Sequence, residues 1–428
     1  MHVVCVMSDV PSPGRNGGAM TCWGVVQALL RHGHRVTIVL LIAQRSYDSP
    51  AEQQPHLDEL GRAGVEVVPI SHAHPRARGT ARVVLRPRMS DFYATTDCAA
   101  MVELQVRRLQ PDVLFAYDFD AVAALQTVED IPRLGALGSW NPVSKYGRWR
   151  HATPRTLTPA YARATVRLLR YVKEYPFMIQ LARSCDRVGH FAAHHAAWLR
   201  EHGAPRCQYY RTPLIDPVSD TWLARRRAAR RPTQRPRILM PGRLRATLTL
   251  AGLYLFVREI LPRLESRLGA DGFEVHIVGK DVLPASLAAA LQRPSIRLRG
   301  FVDDMDAEFL AADVLLVPNP IPFSLRVRIL AGFAYGCCVV AHDANAVGTP
   351  ELVHGQNVLL ANSGAGLADM VGEALADRRL REQLGRQARA TYEQAFAVDT
   401  AGTAITRELE TLARAPVSQA EPVVEFKG

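Results

Sequence analysis

The sequence predicts an α/β protein with two Rossmann-like units, each a parallel sheet covered by helices. Three observations support this fold class. Short apolar runs alternate with longer helical patterns along nearly the whole chain, as expected for strands joined by helical crossovers. The alternation begins afresh after an Arg- and Pro-rich segment at 224–237. Finally, 428 residues suffice for two to three domains at roughly 150 residues each, and 48% hydrophobic residues allow each unit a core.

The predicted elements of the first unit start with a strand at His2–Met7, a loop at Ser8–Asn16 and a helix from about Gly18 to His32. Further apolar runs predict strands at Arg35–Ile42, Val65–Ile70, Val113–Tyr117 and Arg187–His190. A long helix is predicted over Pro159–Arg183, before the last of these strands.

The second unit repeats the alternation. Its predicted strands are Ile238–Met240, Phe273–Val278, Ile296–Leu298, Val314–Val317 and Cys338–Ala341. Its predicted helices are Leu250–Leu268, Met305–Ala311 and Val327–Tyr335, and Ala365–Ala413 is helical throughout. We therefore expect a first domain at 1–215, a linker at 216–236, a second domain at 237–397, a helix at 398–414 returning to the first domain, and a tail at 415–428.

Composition excludes several classes of protein. The longest clean apolar run, Val36–Ala43, is too short for a bilayer-spanning helix, which needs about 20 residues. Seven scattered cysteines without a Cys-x-x-Cys pair favour reduced thiols, and the N-terminus lacks the features of a secretory leader, so a cytoplasmic protein is expected. The net charge of +11 comes from a composition with four lysines among 52 cations, so charge alone does not indicate nucleic-acid binding.

Two adjacent glycines, Gly17 and Gly18, stand at the predicted start of the first helix. Free backbone N–H groups at such a helix start can approach an anion, and a diphosphate suits the site. The dinucleotide fingerprint requires Gly-x-Gly-x-x-Gly and an acidic residue at the end of the second strand, whereas this chain has Ala43-Gln44-Arg45 there. Nicotinamide binding is therefore disfavoured, and a plain strand-to-helix turn stays open as the alternative.

Arginines follow two strands of the second unit. Arg243 comes directly after the first strand, and Arg326 and Arg328 stand at the start of a predicted helix. A guanidinium can bind phosphate oxygens with two hydrogen bonds, and cations are electrostatically disfavoured at a helix N-terminus. A bound anion would explain their presence, so the sequence favours a phosphate site at the cleft expected between the units.

These motifs, taken in order, resemble those of a retaining glycosyltransferase of the GT-B fold, in the family-four group of nucleotide-sugar-dependent enzymes. The resemblance covers most of the chain and is strongest over Arg237–Phe396. The matching segments are Gly17-Gly18, Leu30–Thr37, Gly242-Arg243-Leu244, Gly252-Leu253, Ile260-Leu261-Pro262, Ile277-Val278-Gly279, Gly300–Asp304, Ala312-Asp313-Val314, Arg326–Leu330, Ala334-Tyr335-Gly336 and Gly355–Leu360.

The resemblance implies transfer of a sugar from a nucleoside diphosphate to an acceptor, with retention at the anomeric carbon. No metal and no further cofactor are implied, because arginines would stabilise the departing diphosphate. By matching position, Arg243 and Arg328 are the catalytic residues. The donor-binding set is Gly17, Gly18, Arg243, Val302, Asp304, Ser324, Leu325, Arg326 and Arg328, and the acceptor side is assigned to Tyr117, Trp140 and Asn141.

Four departures from the family pattern concern the donor and acceptor pockets. Ala331 replaces the usual acidic residue, Pro322–Leu325 replaces a glycine-rich loop, a lysine is missing after Gly242-Arg243-Leu244, and Trp140-Asn141 replaces His-Asn. Two alternatives therefore stay open: a GT-B protein that binds without transferring, as a partner subunit, or a sugar-nucleotide epimerase.

Two further clusters bear on partners. Arg163, Arg167 and Arg170 share one face of a predicted helix, so an anionic or lipid-linked acceptor, or peripheral contact with the inner face of a membrane, is a hypothesis. His190, His194, His195 and His202 lack a metal-binding motif and are interpreted as ordinary helix and strand surface. No nucleic-acid partner is expected.

Overall fold

The structure, a computed structural model, describes residues 1–14, 16–43, 50–72, 80–138, 140, 142, 146, 149, 159–218, 235–244, 246–280, 282–322 and 326–415. The described residues form two compact units. The first draws on Met1–Trp149, Thr153–Ile215 and the segment from Val398 onward, and the second on Asp216–Ala397. Most of the predicted linker and nearly all of the predicted tail lie outside the described residues.

The strands form two parallel sheets. The sheet of the first unit has seven strands in the order β3-β2-β1-β4-β5-β6-β7, and that of the second has six in the order β10-β9-β8-β11-β12-β13. The strands are β1 (His2–Met7), β2 (Arg35–Ala43), β3 (Glu66–His72), β4 (Val113–Tyr117), β5 (Arg133–Leu137), β6 (Arg187–His190), β7 (Cys207–Tyr209), β8 (Arg237–Pro241), β9 (Glu274–Val278), β10 (Ile296–Gly300), β11 (Val314–Val317), β12 (Cys338–His342) and β13 (Leu359–Ala361).

Helices connect the strands on both units. They are α1 (Gly17–Arg31), α2 (Pro50–Arg62), α3 (Thr80–Leu85), α4 (Ala99–Leu109), α5 (Asp118–Ala124), α6 (Pro159–Val172), α7 (Tyr175–Arg183), α8 (Ala193–Glu201), α9 (Thr247–Leu255), α10 (Leu261–Leu268), α11 (Ala285–Ala290), α12 (Met305–Ala311), α13 (Val327–Ala334), α14 (Gly364–Ala376), α15 (Arg378–Ala395) and α16 (Thr403–Arg414). Shorter helical turns lie at Met89–Asp91, Ala94–Cys98, Phe256–Ile260, Asp343–Gly348 and Val398–Gly402.

The C-terminal helix α16 belongs to the first unit. Ile405, Leu409 and Leu412 are buried in the same apolar core as Val3 and Val26. Three apolar side chains at this spacing line one face of a helix, and their burial removes that face from water. The predicted fold class, two Rossmann-like units with C-terminal helices crossing back to the first, is confirmed.

Three predicted helices are interrupted. The predicted helix Pro159–Arg183 is two helices, and Pro176 lies in the first turn of α7, where a missing N–H breaks no helical hydrogen bond. The predicted helix Leu250–Leu268 contains a wider turn at Phe256–Ile260, just before Pro262 in α10. The predicted helical stretch Ala365–Ala413 is three helices.

Three strands were missed. The strands β7 and β13 have three residues each, too few to show a pattern, and β5 contains a glycine. These three strands can be recognised only from their pairing with neighbouring strands in the structure, as β5 pairs with β4 and β6.

Candidate active site

The carboxyl edge of the second sheet is built around the turn that follows β8. The Gly242 N–H donates to the Val278 carbonyl of β9 at 2.9 Å, and Gly242 has φ of +153°, a conformation that favours glycine. Arg243 follows with an exposed side chain, and its carbonyl accepts from the Ala246 N–H at 3.0 Å. The chain thus turns sharply at the strand end and presents Arg243 outward.

Arg328 reaches the same turn from another element. It lies in the first turn of α13, and a Cβ on Gly242 would be 2.6 to 2.8 Å from three atoms of its guanidinium. Its Nη2 donates to the Thr249 hydroxyl at 2.9 Å. Arg328 therefore packs on the residue that precedes Arg243, at the turn that follows β8.

The guanidinium of Arg328 lies in a partly desolvated environment. Burial lowers the pKa of Arg328 to about 10, so the side chain stays protonated at neutral pH. Within the described part of the chain, no carboxylate forms an ion pair with it. A desolvated cation of this kind attracts an anion more strongly than one in open water.

Beside Arg328 lies a small pocket with one further polar group. Its lining includes Met240, Leu244, Thr249, Gly252 and Asn319. Asn319 is 2% exposed, and its Nδ2 finds no hydrogen-bond partner among the described residues. Thr249 and Asn319 received no role in the sequence analysis, and their distance from Arg328 along the chain left no motif to reveal them.

Arg326 is turned inward. It is buried, donating from Nε to the Asn345 side chain at 3.1 Å and from Nη2 to the Ile321 carbonyl at 3.3 Å. Burial, with a contribution from the charge of Arg328, lowers the pKa of Arg326 to about 9. These hydrogen bonds support a role for Arg326 in holding the start of α13.

The loop after β10 carries the two predicted nucleobase contacts. Val302 is half-buried, whereas Asp304 is exposed and caps α12 by accepting from the Ala307 N–H at 2.9 Å. Ala331 is half-buried on α13. Ser324 and Leu325 lie outside the described residues.

Two of the predicted residues of the first unit meet at the start of α1. A Cβ on Gly18 would be 3.4 Å from the Tyr117 hydroxyl and 2.6 Å from Oδ2 of Asp9. Asn16 caps the helix by accepting from the Ala19 N–H at 3.0 Å. The absent side chain of Gly18 therefore makes room for Asp9, whose carboxylate lies at the positive end of the helix.

Further carboxylates gather at the end of β4. Asp118 begins α5 with φ of +73°, which is uncommon for a residue other than glycine. Burial first, and then the charges of Asp118, Glu174 and Asp9, raise the pKa of Asp120 to about 7. A carboxyl group with such a pKa exchanges its proton near neutral pH.

Trp140 lies in a buried aromatic cluster. Its ring stacks on His195 at 4.2 Å and meets Trp198 edge-on at 5.1 Å. His190 packs against the same rings, and burial lowers the pKa of His195 far below its ordinary value. The prediction that His190 and His195 lie on the surface is therefore wrong, since both are buried in this aromatic cluster. Trp140 thus packs in the core at the position where the family pattern has a polar histidine, and Asn141 lies outside the described residues.

The described residues contain neither a metal-ion cluster nor a membrane-spanning helix. Within the described ranges, no group of three or more His, Cys, Asp or Glu side chains could hold a metal ion. In the same ranges, no helix is long and apolar enough to cross a membrane.

Comparison with known proteins identifies the class. Residues 235–377 match the family model described as Glycosyl transferases group 1. No curated protein matches the chain.

Solved structures similar to the chain include a glycosyltransferase from Rickettsia africae, with TM-score 0.64, 13% identity and coverage of 96% of this chain and 98% of that chain. HepE of Anabaena in complex with UDP-glucose has TM-score 0.63 and 15% identity, with 96% and 100% covered. An α,α-trehalose-phosphate synthase (UDP-forming) from Burkholderia xenovorans has TM-score 0.66 and 14% identity, with 96% and 99% covered.

The fold of the chain is that of a GT-B protein, with two parallel sheets in two units. Residues 235–377, which lie in its second unit, match the glycosyl transferases group 1 family model, and the solved structures share the fold over nearly the whole chain.

Proposed function

We propose that the protein transfers a sugar from a nucleoside diphosphate to an acceptor hydroxyl, with the diphosphate held at the Gly242-Arg243 turn and by Arg328. The observation that carries this proposal is the buried Arg328 guanidinium packed on Gly242, without a carboxylate partner in the described part of the chain. The family match of residues 235–377 and the UDP-sugar bound by HepE support a nucleotide sugar as donor.

The reaction follows from the charges. The anomeric C–O bond to the diphosphate breaks, the acceptor oxygen bonds to the anomeric carbon, and the acceptor proton passes to a phosphate oxygen. Negative charge grows on the diphosphate as the bond breaks, and fixed cations stabilise that charge in the transition state. We therefore propose a reaction without a metal. Proton transfer to the leaving phosphate from the same face would retain the anomeric configuration.

Ala331 bears on the donor. A carboxylate that accepts hydrogen bonds from donor hydroxyls contributes about 1.5–3 kcal/mol for each charged bond, and alanine offers none. We propose that the donor sugar or its ribose is held differently from the family pattern. The same observation favours a second candidate, a GT-B chain that binds nucleotide sugars without transferring.

A turnover assay separates the two. The full chain is incubated with a panel of nucleoside diphosphate sugars and acceptor extracts, and release of nucleoside diphosphate is measured. A transferase releases it only with donor and acceptor together. A binding protein shows thermal stabilisation without release, equivalent to about 2.7 kcal/mol at a hundredfold excess of ligand over Kd. Conversion of the donor without an acceptor would indicate an epimerase.

The residues are tested by a matched pair of substitutions. Arg328→Lys keeps the charge but loses the planar fork, and removing one such donor typically costs about 2.7–4 kcal/mol in the barrier. Arg378→Lys is the control, since Arg378 forms an exposed helical ion pair with Glu382. Equal rates for the two variants would exclude Arg328 from the reaction.

A further inference from the structure

The helix α6 turns an apolar face to solvent. Val166, Leu169 and Val172 are 48%, 52% and 55% exposed. They stand three residues apart, so their side chains form one stripe on the helix. Soluble proteins expose single apolar residues commonly but contiguous apolar patches seldom, and such a patch marks an interaction surface.

Neighbouring elements extend the stripe. The short helix α3 packs against α6, and Leu85 at its end is 80% exposed. Tyr146 is also exposed, and its ring centroid lies 5.9 Å from that of Trp149, whose indole N–H donates to the Thr165 hydroxyl of α6 at 3.0 Å. We call the exposed side chains of Leu85, Tyr146, Val166, Leu169 and Val172 the α3/α6 surface.

The sequence segments that supply these exposed side chains carry only one sign of charge. Residues 131–173 contain nine arginines and lysines and no aspartate or glutamate, and residues 67–90 contain five arginines and no acidic residue. In a chain with 41 acidic residues against 52 basic ones, such acid-free segments are unusual. Arg86 and Lys173 are exposed next to Leu85 and Val172.

One cation of α6 instead anchors the helix. Arg170 donates to the Asp91 carbonyl, and its guanidinium carbon lies 6.0 Å from the centroid of the Phe92 ring. Arg170 therefore holds α6 against the segment around Asp91 and Phe92, while Val166, Leu169 and Val172 keep about half of their surface exposed. The helix α6 is thus held in place, and its apolar stripe remains exposed.

We propose that the α3/α6 surface docks on an anionic lipid bilayer, with α6 lying in the plane of the interface. An aliphatic stripe flanked by arginine, lysine and tyrosine suits the boundary between headgroups and acyl chains. Each cation near an anionic leaflet adds further attraction, which falls with salt. Nucleic acid would use the charge but gain nothing from an aliphatic stripe. This inference does not depend on the proposed function.

The test is flotation of the full chain with vesicles. Vesicles of phosphatidylcholine with about 30 mol% phosphatidylglycerol should carry the protein upward, and vesicles of phosphatidylcholine alone should carry much less. Val166→Asp with Leu169→Asp should lower the partition into anionic vesicles at least about tenfold, because both apolar contacts are lost. Val282→Asp is the control, since Val282 is 81% exposed in the second unit.

Each other outcome overturns the proposal. Absence of flotation with anionic vesicles at low salt would exclude membrane docking. Flotation that the double substitution leaves unchanged would show nonspecific attraction of a basic chain. A dimer in sedimentation velocity that the double substitution dissociates, with no effect on flotation, would assign the surface to a second copy. Because the substituted side chains are already exposed, the variants should keep the thermal midpoint of the native chain.

Discussion

Replacing Gly242 by alanine tests how the candidate phosphate site is built. The new Cβ would lie 2.6 to 2.8 Å from the Nη1, Cζ and Nη2 atoms of Arg328, closer than carbon and nitrogen can approach. The guanidinium must move away, and its 2.9 Å hydrogen bond to Thr249 is then lost or redirected. The substitution thus displaces the cation without removing its charge.

Two separate effects are expected, one on stability and one on binding. Placing alanine at φ of +153° costs about 1–3 kcal/mol of stability, because that conformation suits glycine. Loss of one charged hydrogen bond to a bound phosphate costs about 1.5–3 kcal/mol, which lowers affinity for a diphosphate about ten- to a hundredfold. The first effect acts on folding, and the second on binding.

The variant Gly269→Ala separates the effect on folding from the effect on binding. Gly269 also has a positive φ, +78°, but a Cβ there would contact nothing within 4 Å. Both variants should lose stability in urea titrations, and only Gly242→Ala should lose affinity for inorganic pyrophosphate in calorimetric titration. If the two variants bind pyrophosphate equally well, the placement of Arg328 against Gly242 has no role in anion binding and the reasoning is refuted.

Three further predictions concern stability. Since the pKa of Asp120 is raised to about 7, the free energy of unfolding should fall by up to about 1.4 kcal/mol for each pH unit as pH rises from about 4 to 7. Asp120→Asn should abolish this pH dependence, whereas the control Asp303→Asn should keep it. The pKa of His195 is lowered, so the stability that the neutral imidazole contributes is present above about pH 6.5 and is lost as pH falls. Between about pH 6.5 and 5, the urea midpoint of His195→Phe should therefore decline less than that of the native chain. Gly24→Ala places a Cβ 2.0 Å from the Pro213 carbonyl oxygen and should lower stability by about 1–3 kcal/mol or more, as thermal unfolding would show.

The fold was predictable because its signals are local and repeated. Continuous apolar runs such as Arg35–Ile42 mark strands buried on both faces, and the structure places β2 there. The same rule fails for β13, whose three residues are identified only by pairing with β12. Strand number therefore depends on contacts that no single segment encodes.

The site was predictable only in part. Arg243 and Arg328 were singled out because strand ends and helix starts are recognisable from the pattern, and their role at a site stays a prediction. Thr249 and Asn319 were not, because their relation to Arg328 exists only once α9, β11 and α13 have packed together. Arg326 shows the reverse: it has the residue type of a ligand contact, yet its guanidinium is occupied within the protein.

The glycine pair at α1 shows how a motif and its surroundings combine. Two glycines at a helix start predict room for a phosphate, but the room at Gly18 is used by the carboxylate of Asp9. A phosphate brought to about 4 Å from that carboxylate would meet a repulsion on the order of 1–4 kcal/mol between unit charges. The helix dipole of α1 is thereby compensated within the protein, so we expect little attraction for a diphosphate from this helix start. Asp9→Asn should accordingly strengthen, not weaken, the binding of pyrophosphate if Gly17 and Gly18 contribute to it, and leave binding unchanged if Arg243 and Arg328 act alone.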